Sequence, residues 1–289
     1  MEFNGLYTAM ITPFNENDQV DYKRLEKNIE YQIKNGVDGL LALGTTGEPP
    51  TLSSDEKEKI IDLVIKKANK RVPVMVGTGS NSTKKTIKNT LQAQNKGADI
   101  ALVVTPYYNK PTQEGIFQHF KMIVENTNIP IVVYNIKSRT GRNIETSTLK
   151  RIADLDNIIG VKEASGDINQ IQDVLNQINK PNFNLLSGDD SLTLPMMSLG
   201  AKGVVSVISN LFVKEMAQMI KACKNNDLKK ARQIHNKLIP IMRGAFIETN
   251  PAPIKEAMSI KNMDTGKVRL PLTKLQDDNK LIIKEIIGG

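Results

Sequence analysis

Tryptophan is missing from this chain, cysteine occurs once, histidine twice, and aromatic residues make up only 4% of its 289 residues. A single cysteine, Cys223, excludes an intrachain disulfide and fits a reducing compartment, so the expected location is the cytoplasm. We read that thiol as helix packing, not as a nucleophile. His119 and His235 lie far apart in the chain, and no histidine-built zinc site is readable. No apolar run approaches the length of a membrane span. The start, Met1-Glu2-Phe3-Asn4-Gly5, lacks the basic-then-apolar pattern of a signal peptide. Acidic residues are in deficit, 31 against 39 Lys and Arg, for a net charge of +8. The cations are interspersed with anions, as in Asp55-Glu56-Lys57-Glu58-Lys59, instead of forming a block. Without nucleic-acid motifs or interleaved aromatics, the excess reads as solvated helix faces with a mild pull on small anions.

What is present is a regular alternation. Hydrophobic residues at 39% and charged residues at 24% describe a soluble globular protein, long enough for one large α/β domain. Apolar runs of strand length fall at 6–11, 37–43, 72–76, 100–104, 130–134, 158–163, 183–186 and 203–207. Amphipathic stretches of helix length separate them, at 22–34, 54–70, 84–96, 115–124, 146–152, 168–178 and 192–199. Eight strand–helix units in about 210 residues predict a TIM (β/α)8 barrel. A doubly wound sheet also alternates, but its dinucleotide loop is lacking: Gly77-Thr78-Gly79 has Ser82 where a third glycine belongs. From Val213 the pattern is helical only, at 213–224, 227–246 and 252–259. The expected organisation is a barrel over 1–225 with a C-terminal helical extension over 226–289 packed on it.

A barrel of this kind does its chemistry at the C-terminal ends of its strands. Strand alternation puts Ile158, Gly160 and Lys162 on one face and Ile159, Val161 and Glu163 on the other. Lys162 then points inward near a strand end, where desolvation favours the neutral, nucleophilic amine. Other strand ends supply Gly44-Thr45-Thr46-Gly47-Glu48, Thr105-Pro106-Tyr107-Tyr108-Asn109-Lys110-Pro111, and Tyr134-Asn135 followed by Ser138-Arg139-Thr140-Gly141. Singly each has a plain structural role: a tight turn, an inward aromatic, a surface charge, and for Asp189-Asp190 a helix N-terminus. Together, an amine, a phenol, paired threonines and an arginine are what imine chemistry on a keto acid needs. The protonated imine is itself the electron sink, so no metal or organic cofactor is required.

These three motifs and Gly160-Val161-Lys162-Glu163, four in order along the chain, resemble the 4-hydroxy-tetrahydrodipicolinate synthase (dihydrodipicolinate synthase) family, over residues 7–271. That family belongs to the class I aldolase barrels, with N-acetylneuraminate lyase. The resemblance implies condensation of pyruvate with L-aspartate 4-semialdehyde, the first committed step of the diaminopimelate route to lysine. By the same resemblance Lys162 forms the imine. Tyr134 moves protons with Thr45 and with Tyr108 of a neighbouring subunit. Thr46 and nearby backbone groups, with Val205 beside them, hold the pyruvate carboxylate, Gly188 is a further substrate-binding residue, and Arg139 holds the semialdehyde carboxylate. The implied assembly is a homotetramer, a dimer of dimers.

The chain departs from the family in two places. Lys137 stands where the family commonly has proline before Ser138-Arg139-Thr140. Positions that line an inter-subunit lysine cleft in lysine-sensitive members correspond here to Pro49, Pro50, Lys57 and Lys85, beside Asn81 and Tyr107. Cations there repel a cationic ligand, which predicts weak or absent inhibition by lysine. The nearest rival reading is another imine-forming aldolase, such as a sialic-acid lyase. Arg139 and the Thr45-Thr46 pair speak against it, because a sugar calls for hydroxyl-bonding groups in place of a second carboxylate clamp. A silent barrel that only binds a small acid predicts an unreactive, solvated Lys162.

Overall fold

The computed structural model describes residues 3–288. Its strands are β1 (Gly5–Ala9), β2 (Gly39–Ala42), β3 (Val74–Gly77), β4 (Ile100–Val104), β5 (Ile131–Asn135), β6 (Ile158–Glu163), β7 (Asn184–Ser187) and β8 (Gly203–Ser206). They join in chain order into one closed barrel, as the alternation predicts. Parallel neighbours cannot be joined by tight hairpins, so the helices lie between them. These are α1 (Tyr22–Lys34), α2 (Ser54–Ala68), α3 (Thr83–Asn95), α4 (Gln113–Asn126), α5 (Lys137–Thr140), α6 (Thr146–Ala153), α7 (Ile168–Gln177) and α8 (Thr193–Ser198). After the last strand come α9 (Ser209–Lys224), α10 (Leu228–Gly244), α11 (Ala252–Ile260) and α12 (Asp277–Gly288).

Local chemistry fixes the helix ends. In α2, Ser53 and Glu56 close a capping box, Asp55 and Glu56 occupy the first turn, and Lys66 and Lys67 the last. Both ends thereby match the helix dipole. Sequence periodicity does not reveal α5, a single turn, or α12, whose apolar residues Leu281-Ile282-Ile283 run consecutively. Lys137, the departure from the family's proline, is the first residue of α5. An N–H at that position has no partner within the helix, so lysine and proline both start the turn.

By packing, the chain divides into two units, residues 3–5 with Met75–Val205, and Leu6–Val74 with 206–288. In the first, Ala101, Val103, Ile131, Val133, Val161 and Leu185 point outward from β4–β7 into one core cluster with Ile116, Phe120, Ile123, Leu149, Ile152 and Ile171 of the helices. Each such Val, Leu, Ile or Phe side chain, fully buried, contributes about 1.5–3 kcal/mol. Ile158 belongs to that outer cluster as well, beside Val161. Strict alternation puts it instead on the face of Lys162. The correction lies in the register, which pairs Ile131 with Ile158 but Val132 with Gly160, an extra residue that resets the alternation of β6. The second unit clamps α9 to β1: Asn210 Nδ2 donates to Ala9 O (2.7 Å), and Ile11 N–H donates back to Asn210 Oδ1 (3.1 Å).

Candidate active site

In the first unit the ends of β4 to β8 bring several of the expected residues together. Register pairs Val104 with Tyr134, Tyr134 with Lys162, and Lys162 with Leu186. Lys162 is only 4% exposed, and its Nζ stands 4.2 Å from the centre of the Tyr134 ring. Burial pulls the ammonium down from 10.5 to about 7; the Asp190 carboxylate works against that shift, and the Arg139 guanidinium adds to it. An amine at the end of an inner strand is therefore substantially unprotonated near neutrality, as a nucleophile must be.

Gly188 makes room for this amine. A Cβ at Gly188 would meet Ala164 Cβ at 2.8 Å and Lys162 Cε at 3.1 Å. Its N–H donates to Glu163 O at 2.7 Å, extending the β6–β7 ladder past the strands. Val205 lies fully buried in β8. Asp189 caps the short turn that follows β7, accepting from Ser191 N–H at 2.8 Å, as expected of a helix N-terminus. Asp190, one residue on, is 1% exposed and is the carboxylate that acts on Lys162. Sequence reasoning missed that role; the available signal was its place just past the end of the strand next to Lys162.

Arg139 lies exposed on α5, just past β5. Its loop is tied to the one after β4 by Arg142 Nε, which donates to Lys110 O at 3.1 Å. Tyr108 is not gathered in with the others. Its ring is 88% exposed, and its backbone holds a left-handed φ of 71°, a costly conformation for a bulky residue.

Thr45 and Thr46 belong to the second unit, in a 3-10 turn (Thr45–Gly47) after β2. Thr46 is buried and accepts from Asn250 Nδ2 at 3.1 Å. Thr12 Oγ1 donates to Gly47 O at 2.8 Å, and Lys255 Nζ donates to Thr12 O and to Glu48 Oε1, both at 2.8 Å. The turn thus hangs on the buried side chains of Asn250, just before α11, and Lys255 within it, a dependence that the motif itself does not display.

Half-burial in α9 pushes the Cys223 thiol pKa up, against nucleophilic use. Among the described residues no cluster of three or more His, Cys, Asp or Glu could hold a metal ion, and no helix is long and apolar enough to cross a membrane.

A closed parallel barrel with a buried, half-neutral lysine beside a phenol at its strand ends defines a class: the barrel lyases that work through a lysine amine. The family is identified by comparison. The model of the dihydrodipicolinate synthetase family matches residues 2–288, and the chain belongs to that family. A 4-hydroxy-tetrahydrodipicolinate synthase of Protochlamydia amoebophila is 52% identical, over 100% of this chain and 97% of its own. The Bacillus subtilis enzyme of the same name is 46% identical, over 100% and 99%. The crystal structure of dihydrodipicolinate synthase from Thermotoga maritima superposes with a TM-score of 0.98 at 42% identity, covering 100% of this chain and 98% of that one.

Proposed function

We propose that the protein makes 4-hydroxy-tetrahydrodipicolinate by condensing pyruvate with L-aspartate 4-semialdehyde, on the diaminopimelate route to lysine. The observation that carries this reading is Lys162, a buried amine whose proton leaves near pH 7 beside the Tyr134 ring. Its Nζ adds to the ketone carbon of pyruvate, and water leaves to give the protonated imine. Loss of a methyl proton gives the enamine, whose carbon attacks the aldehyde of the second substrate. The substrate amine then adds to the imine carbon and expels Lys162, closing the ring and restoring the free enzyme.

Within this proposal Tyr134 moves protons, with Thr45 and with Tyr108 of a second copy. Thr46, with Val205 beside it, serves the pyruvate carboxylate, Gly188 lines the substrate site, and Arg139 serves the carboxylate of the semialdehyde. The reaction calls for no metal or organic cofactor, because the imine nitrogen takes the electrons. A homotetramer, a dimer of dimers, is supported by Tyr108, whose exposed ring and left-handed backbone suit a residue held out for another chain. A cytoplasmic location agrees with the solitary cysteine. Residues 226–289 are best counted as an extension of the 1–225 barrel, since Asn250 and Lys255 bond the loops after β2 and β1. Weak or absent inhibition by lysine belongs to the same proposal, with Lys85 exposed in the first turn of α3. A coupled assay with the two substrates tests the function. Turnover supports it, whereas cleavage of sialic acid in its place would transfer the chain to the lyase reading.

A further inference from the structure

Behind the catalytic strand ends of the first unit lies a buried polar cluster that the proposed reaction leaves unused. Glu163, which follows Lys162, and Asn135, which follows Tyr134, are paired in register and are 1% and 0% exposed. Both side chains alternate to the outer face of the barrel, away from the amine and the phenol. Asn135 Nδ2 donates to the two Glu163 oxygens (3.2 and 3.0 Å) and to Asn143 Oδ1 (2.9 Å). Ser165 N–H donates to Glu163 Oε1 (2.6 Å), and Ile144 N–H donates to Asn135 Oδ1 (3.0 Å). Asn143 Nδ2 in turn donates to Gln170 Oε1 of α7 (2.6 Å). Burial pushes the Glu163 carboxyl pKa up, and its hydrogen-bonded neighbours in this cluster, every one a donor, work against that push and suit a carboxylate.

The cluster spans a particular stretch of chain. Residues 136–143 leave β5 at Asn135 and return to it through Asn143 and Ile144, and Arg139 is in the middle. Lys162, by contrast, is fixed by the ladders that β6 makes to β5 and β7. Glu163 is not among the charges that act on the Lys162 ammonium; Asp190 and Arg139 are.

We propose that Glu163, acting through Asn135, is a positioning residue for the Arg139 loop, so that it governs the second substrate and leaves imine formation almost untouched. This rests on the function proposed above. It also accounts for a buried carboxylate that touches neither substrate: Asn135 must present one face to an acceptor and the other to the Ile144 N–H.

Glu163→Gln tests it without changing shape. The new amide sets a donor against Asn135 Nδ2, and turning the Asn135 amide only moves that conflict to Ile144 N–H. The expected result is a KM for aspartate semialdehyde raised about tenfold or more, with the KM for pyruvate and borohydride trapping at Lys162 little changed. The double variant Asn135→Asp/Glu163→Gln restores acceptors opposite both donors once the half-buried Asn143 amide turns its Nδ2 toward the new carboxylate and Gln170 turns with it, and it returns the semialdehyde KM toward that of the parent. Amide hydrogen exchange over residues 136–145 reads the same cluster independently of activity: faster in the single variant, restored in the double. A single variant with unchanged KM and exchange, or a double variant no better than the single, overturns the proposal. Equal damage to both KM values also overturns it, because a merely structural role acts on both. Failure of the parent protein to use aspartate semialdehyde would sink the proposed function, while the exchange measurement still decides whether Glu163 holds the loop.

Discussion

Lys162 titrates where it does because burial removes the water an ammonium needs, while two smaller charge effects pull on it in opposite senses. Its folded-state pKa, about 7, lies below the ordinary 10.5, so the reactive amine gains population as the pH rises through 7. The kcat/KM for pyruvate should therefore rise about tenfold per pH unit on the acid side and level above about pH 8. Asp190 favours the ammonium and Arg139 disfavours it. Asp190→Asn should accordingly move the acid limb to lower pH, and Arg139→Ala should move it to higher pH. Rate profiles of the two variants check both signs, and shifts in the same direction would contradict the assignment. Lys162 was the most legible residue in the sequence, since a lysine that ends an apolar run at the C-terminal end of a barrel strand faces an interior where an ammonium is costly. Asp190 was not legible, because an acidic pair after a strand reads first as a helix cap, and Asp189 does cap that turn.

Among the elements, the turn that carries Thr45 and Thr46 depends on chain far away in sequence. Glu48 and Lys255 form an ion pair at 2.8 Å with both side chains almost fully out of water, and Lys255 Nζ lies 4.2 Å from the centre of the Phe14 ring. Removing one partner leaves an uncompensated buried charge, so Lys255→Met should cost about 3–5 kcal/mol in chemical denaturation. Neutralising the other partner as well, in Lys255→Met/Glu48→Gln, should recover much of that loss; an equally unstable double variant would show that Lys255 acts by packing alone. Nothing near Thr45 in the sequence announces this support. The elements themselves were readable to within a few residues where the apolar period was sustained, as in α1 and β4. They were not where it was short or broken: α5 is one turn, α12 carries consecutive isoleucines, and the bulge in β6 moves Ile158 to the outer face. Periodicity reports which side chains avoid water, and a bulge or a single turn changes too few of them to show.

At the scale of the whole molecule, the proposed assembly gives Tyr108 its use. If that ring serves a second chain, Tyr108→Phe and Lys162→Ala, each inactive or nearly so, should regain activity when unfolded and refolded together. A hybrid then contains sites with Lys162 from one chain and Tyr108 from the other. Mixtures no more active than their components would place Tyr108 outside the site. The central claim, that the chain works by an imine at the end of β6, has a more direct test. Sodium borohydride added with pyruvate, followed by peptide mass analysis, should show one reduced adduct on the peptide containing Lys162 and none in Lys162→Ala. A protein that stays unmodified, or that carries the adduct at another lysine, would contradict the account.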